Sequence, residues 1–246
     1  MKGCFVTGTD TGVGKTVVAS GLARLLVERG FRVGVMKPIE TGSDVNGEDE
    51  LPHDGRCLAE AARIGGDRRW VVPCRYREPL APLVAARRDA RPVDREAIGQ
   101  AWERLRSQYE WAIVEGAGGL SVPISEGYTM ADLARDMALP LLIVARPVLG
   151  TLNHTFLTVH YAWSKGLAVV GIVISGYDER TTDIAEQTNP AMLEELCELP
   201  VLGLVPRLPA VDTPEEAVRG VREGMDIERF IERCVELEAG SVNAEQ

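Results

Sequence analysis

Three histidines and five cysteines are all that this 246-residue chain has of imidazole and thiol metal ligands. The cysteines, Cys4, Cys57, Cys74, Cys197 and Cys234, are scattered, odd in number and without CxxC spacing. That excludes a disulfide framework or a zinc cluster as an organising feature, so a reducing, cytoplasmic setting is expected. Positive charge is also short, with 27 Lys and Arg against 37 Asp and Glu and a net charge of −10. Nucleic acid and acidic membrane surfaces are anionic, so a general surface for either is not expected, and a phosphate ligand needs a local positive site. No apolar run approaches the ~20 residues of a membrane span. No secretory leader, internal repeat or low-complexity tract is apparent. At this length one soluble domain over 1–246 is the expectation.

What the chain does have is alternation. Short apolar runs bounded by turn residues recur at 4–8, 31–38, 111–119, 140–147, 167–176 and 200–206. Successive residues in them are apolar, as in strands buried on both faces of a parallel sheet. Helix-like stretches lie between, at 16–30, 95–108, 129–137 and 189–199, and an amphipathic one follows at 226–238. The spacing predicts an α/β fold, a doubly wound, mostly parallel sheet with helices on both faces. Residues 38–55 and 73–95 show little periodicity and read as elaborated loops over the strand ends, where function concentrates.

The stretch GTDTGVGKT, residues 8–16, matches G-x-x-x-x-G-K-[ST] through Gly8, Gly14, Lys15 and Thr16, after a strand and at the start of a helix. Glycines let backbone N–H groups turn around phosphate oxygens, the helix start adds a positive dipole, Lys15 a point charge, and Thr16 a hydroxyl for Mg²⁺. The motif points to a nucleoside triphosphate with Mg²⁺ and leaves the reaction open. Such a site takes a carboxylate from another strand end, and Glu115 in WAIVEG is placed for it. The glycines of EGAGG then allow close backbone approach. On sequence position alone Asp54 reads as an ordinary solvated acid. Lys37 is equally a rim cation or a lysine reaching for water. Thr41 either meets a ligand or caps its own turn. The Gly-Thr entry at 150–151 opens a further helix whose free N–H groups suit a carboxylate, with Asn153 nearby. His154 reads as a packing or solvent residue.

Taken in order, FVTGTDTGVGKT, KPIETG, HD, VEGAGGLSVPI and LGTLNHTFLT resemble the dethiobiotin synthetases, and the resemblance runs to about residue 206. It implies small-molecule substrates: 7,8-diaminononanoate, CO₂ and ATP with Mg²⁺, joined through a carbamate and a carbamic-phosphoric anhydride. Lys15 and Lys37 would neutralise the reacting anions. The nucleotide would meet Gly12, Val13, Gly14, Lys15, Thr16 and Val17, together with Asp54, Glu115, Gly116, Ala117, Gly118, Ser175, Gly176 and Pro206. The metal would be held by Thr16, Asp54 and Glu115. Thr11 and Thr41 match contacts to the diamine or its carbamate. Gly150, Thr151, Leu152 and Asn153 match the segment that receives the substrate carboxylate at a helix start and that in the family comes from the second subunit, which implies a homodimer. Ser175 stands where family members often carry Asn; Leu83 replaces a frequent His, and Gly12 an occasional Glu. Partitioning-type switch ATPases share the expected fold but carry a signature lysine five residues before the invariant one, where this chain has Asp10. Amide-forming synthases of the cobyrinic acid type need a glutamine-hydrolysing domain for which no room is expected.

Overall fold

The computed structural model describes residues 1–43, 51–208 and 214–243. From the N-terminus come β1 (Lys2–Gly8), α1 (Lys15–Glu28), β2 (Val33–Met36), β3 (Ile39–Thr41) and α2 (His53–Ala61). Next are β4 (Cys74–Tyr76), α3 (Pro82–Arg88), α4 (Arg95–Gln108), β5 (Trp111–Glu115), β6 (Pro123–Ser125) and β7 (Tyr128–Thr129). The rest alternates: α5 (Met130–Asp136), β8 (Leu141–Ala145), α6 (Thr151–Ser164), β9 (Val169–Tyr177), α7 (Ile184–Cys197), β10 (Val201–Pro206), α8 (Pro214–Gly224) and α9 (Ile227–Asn243).

Each of the six apolar runs becomes one strand of a single parallel sheet, in the order β10-β9-β8-β1-β5-β2. Cys4, Phe5 and Val6 of β1 and Leu141 to Ala145 of β8 are fully buried, each large apolar side chain contributing about 1.5–3 kcal/mol of transfer free energy. Helices cover both faces. Trp111 at the start of β5 packs against Phe230 of α9, ring centroids 6.3 Å apart. Because β1 lies between β5 and β8, the chain first builds the sheet on one side of β1 and then crosses to the other. The carboxyl end of β1 is therefore the topological switch point, where such sheets leave a crevice.

The two stretches expected to be loops carry regular structure. β3 and β4 form a parallel two-stranded ribbon, with Ile39 beside Cys74 and Thr41 beside Tyr76. α3 starts with Pro82, whose missing N–H costs nothing in a first turn. These pieces are three to seven residues long, too short for periodicity to register, and the ribbon depends on a non-local pairing. Residues 44–50 of the first stretch lie outside the described residues. The helix expected at 189–199 instead begins at Ile184, capped by Asp183, which accepts from the Ala185 N–H at 2.8 Å. It runs through Pro190, and Asn189 anchors that turn by donating to the Pro147 carbonyl at 2.6 Å.

Candidate functional site

The turn from β1 into α1 forms the phosphate cradle. Gly14 caps α1 in the left-handed region, φ +95°, with no side-chain cap on the first N–H groups. A Cβ there would also overlap the Ser175 hydroxyl, so both conformation and space require glycine. Lys15 is buried at 7 % exposure and folds back over the turn, its Nζ donating to the Asp10 carbonyl at 3.2 Å. Burial lowers its pKa, against an opposing pull from the Glu115 charge. Val13 is buried and Val17 packs on the core.

Register brings the second lysine to the same rim. Met36 of β2 pairs with Val114 of β5, so the next residue on each strand, Lys37 and Glu115, meet. Lys37 Nζ donates to Glu115 Oε1 at 2.5 Å and to Asp54 Oδ2 at 2.8 Å. Thr16 Oγ1 donates to the same Glu115 oxygen at 2.9 Å. One hydroxyl, two carboxylates and an ammonium thus converge from α1, α2, β5 and the end of β2. Desolvation disfavours the Lys37 ammonium, yet Glu115 and then Asp54 outweigh it and hold its pKa above the usual lysine value. Burial likewise works against the Asp54 carboxylate, but Lys37 reverses it and depresses that pKa. Glu115, 1 % exposed, is pushed up by burial against the pull of Lys37. Its Oε2 is buried with no hydrogen-bond partner among the described residues.

EGAGG closes the cradle from the β5 side. Gly116 N–H donates to the Val6 carbonyl at 3.0 Å, and a Cβ on Gly116 would lie 2.7 Å from Phe5 Cε1. Ala117 packs on the core, while Gly118, at φ +68°, lies so that a Cβ would sit 3.9 Å from the Thr11 hydroxyl. Gly12 has φ +69° and faces Arg146. Ser175 and Gly176 lie near the end of β9, the Ser175 side chain against Gly14 of the cradle, and Pro206 at the end of β10 lines a cavity of about 630 Å³ together with Tyr177, Glu179, Arg180, Arg207 and Glu223. Thr41 ends β3, on the ribbon side of the crevice.

The 150–153 segment stands apart from this cluster. Gly150 caps α6 in the left-handed region, again without a side-chain cap. The Thr151 hydroxyl turns inward, 3.4 Å from that of Thr155, Leu152 packs on the core, and Asn153 and His154 are exposed. Among the described residues no hydrogen bond or ion pair links 150–153 to Lys37.

Two residues escaped the sequence reading. Arg146, just past β8, donates to the Thr11 carbonyl at 2.7 Å and faces Asp10 at 3.6 Å; the strand-end logic that flagged Lys37 applies to it equally. Glu40 of β3 is buried at 5 % exposure and accepts from the N–H groups of Asp54 and Gly55; no local pattern announces that contact.

The family model described as an AAA domain matches residues 2–215. The ATP-dependent dethiobiotin synthetase BioD of Bacillus subtilis strain 168 is 43 % identical over 92 % of this chain and 96 % of its own length. That of Thermodesulfovibrio yellowstonii is 40 % identical over 93 % of this chain and 98 % of its own. The cell division ATPase MinD of Pyrococcus furiosus shares the fold at 21 % identity, with a TM-score of 0.53 over 97 % of this chain and 99 % of that one. A crevice with a phosphate cradle, two rim lysines and paired carboxylates, on a chain so close to these synthetases over nearly its whole length, places the protein in the ATP-dependent dethiobiotin synthetase family.

Proposed function

We propose that this chain closes the ureido ring of dethiobiotin from 7,8-diaminononanoate, CO₂ and ATP, and that it works with Mg²⁺ as a cytoplasmic homodimer. The observation that carries the reading is the convergence of Lys37, Asp54, Glu115 and Thr16 beside the cradle. The donor set fits a hard cation. Thr16, Asp54 and Glu115 offer oxygens only, and Glu115 Oε2 is buried without a hydrogen-bond partner among the described residues. Among the described residues no cluster of three or more His, Cys, Asp or Glu forms a metal cage, which suits an ion that takes its remaining ligands from phosphate and water. When bound, the ion supplies positive charge to the β and γ phosphate oxygens.

This chain's own residues do the rest. An amine of the substrate takes up CO₂ and loses a proton to water to give a carbamate, whose oxygen attacks the γ phosphorus while ADP leaves. The second amine then attacks the carbamoyl carbon, phosphate departs with the C–O electron pair, and the proton of that amine passes to the departing phosphate. Anion approaches anion in the first step, so positioning and charge neutralisation dominate. Lys15, within the cradle, faces the phosphates, and Lys37, ionised throughout the neutral range, faces the carbamate. Thr11 and Thr41 border the diamine, and Ser175, Gly176 and Pro206 the nucleoside end.

The dimer accounts for the isolation of 150–153. Leu149 is 86 % exposed at the start of α6, Leu157 57 % on its surface, and Ile184 73 % at the start of neighbouring α7, with Met192 and Leu196 further along. These exposed apolar residues of two packed helices are the association surface proposed here. Pairing through it would bring one protomer's Asn153 and free helix N–H groups towards the other's crevice.

The test is phosphate release. Rapid release is expected only with diamine and bicarbonate together, and Lys37→Ala should lower it by at least ~10³-fold, with nucleotide affinity within about threefold of the parent. Release independent of the diamine, or full turnover in Lys37→Ala, would overturn the reading.

A further inference from the structure

The start of α2 is held from outside the helix. Its N-cap residue is Pro52, which offers no side-chain cap to the first N–H groups. Such groups, when buried, need acceptors. They find them in Glu40, on β3: Oε1 accepts from the Asp54 N–H at 2.9 Å and Oε2 from the Gly55 N–H at 3.0 Å. Both carboxylate oxygens are thus used on consecutive amides, a two-point grip that fixes position and orientation together. The fit is tight behind it, since a Cβ on Gly55 would overlap Val72. β3 itself is tied to β4 and follows Lys37 by two residues, and Lys37 N–H donates to the Val71 carbonyl at 2.8 Å. The segment that carries Lys37 and the helix that carries Asp54 are therefore joined through Glu40.

We infer that Glu40 is a positioning residue for the metal and phosphate site: by gripping the Asp54 and Gly55 amides it sets where the Asp54 carboxylate sits relative to Lys37, Glu115 and Thr16. This rests on the proposed role of Asp54 and extends it to a residue that touches neither metal nor substrate. The grip needs two acceptors at full glutamate reach. Gln keeps the length but turns one acceptor into a donor that opposes an N–H, and Asp keeps the charge but withdraws by one methylene.

The experiment is calorimetric titration of ADP into the full chain, with and without Mg²⁺, for Glu40→Gln, Glu40→Asp and Asp54→Ala, alongside thermal melting by circular dichroism. For both Glu40 variants the Mg²⁺ concentration giving half of the affinity enhancement should rise about tenfold, while Mg²⁺-free ADP affinity stays within about twofold. In Asp54→Ala, which should show the same loss, adding Glu40→Gln should change nothing further. Glu40→Asp behaving as parent beside an impaired Glu40→Gln would reduce Glu40 to a charge and overturn the grip. Parental Mg²⁺ dependence in both Glu40 variants beside an impaired Asp54→Ala would overturn the inference alone. Parental behaviour in Asp54→Ala would instead bring down the Asp54 assignment. Should Glu40→Gln fail to melt cooperatively, Glu40→Asp decides by the same readout.

Discussion

Glu115 carries two jobs that pull against each other. It is 1 % exposed, which favours its neutral form, yet its partners Lys37 and Thr16 favour the anion. A buried ion pair adds little net stability, but removing one member leaves the other charge desolvated. Glu115→Gln keeps the shape and removes the charge, leaving Lys37 with Asp54 alone. Such a loss costs about 3–5 kcal/mol when nothing compensates, and Asp54, 29 % exposed at its side chain, compensates in part. A stability loss of about 2–3 kcal/mol in urea unfolding without nucleotide is expected, together with loss of Mg²⁺-dependent nucleotide binding. A Glu115→Gln chain as stable as the parent would show that Lys37 is not dependent on that carboxylate. Motif spacing set Lys15 and Thr16, and the strand-end rule Glu115, at the rim where the structure brings Thr16 and Glu115 into contact beside the cradle lysine. On position alone Asp54 reads as an ordinary solvated acid; its contacts with Lys37 and Glu40 in the folded chain set it apart from its neighbours.

At the scale of elements, the six main strands followed from apolar runs buried on both faces, and the observed sheet uses all six; α1, α4, α5, α9 and the start of α6 also fall where helices are expected. What stayed hidden were β3, β4, α3, β6 and β7, whose lengths are below the reach of any period, together with α2, α8 and the first turns of α7, which begins at Ile184 and runs through Pro190. The resemblance implies a homodimer, and the association surface proposed for it lies on the exposed apolar residues of α6 and α7. Two variants separate its roles. Asn153→Ala removes a polar group from the start of α6 and should raise the diamine KM about tenfold, with the ATP KM within about twofold and sedimentation unchanged, as loss of one uniform contact predicts. Leu157→Glu combined with Ile184→Glu places charge on the apolar face and should shift sedimentation towards the monomer while raising the diamine KM at least as much. A double variant that sediments as the parent would move the interface elsewhere.

Taken as a whole, the molecule is a strongly anionic body with a small cationic rim. Lys15, Lys37 and Arg146 lie around the carboxyl end of β1 while the chain carries −10 overall, and Lys37 and Arg146 are each matched by carboxylates there. The same body hides its titratable thiols and phenol. All five cysteines are buried and free. Burial pushes the Cys57 and Cys74 thiols up to about 11 and the Tyr76 phenol up to about 12. In the unfolded chain these groups ionise near about 8.5 and about 10. A folded pKa above the unfolded one means stability that is complete below the unfolded value and drains away as pH rises towards the folded one. Lys37 acts in the same sense, because its raised pKa makes it bind a proton more firmly folded than unfolded above about 10.4. The melting temperature should therefore be level between about pH 7 and 8, decline from about 8.5 and fall most steeply above about 10. Cys74→Ser should soften the decline between about 8.5 and 10 and leave the later fall in place, since Tyr76 and Lys37 remain. Differential scanning calorimetry across that range checks both limbs, and a melting temperature constant to pH 10.5 would mean that these groups are open to water in the folded chain.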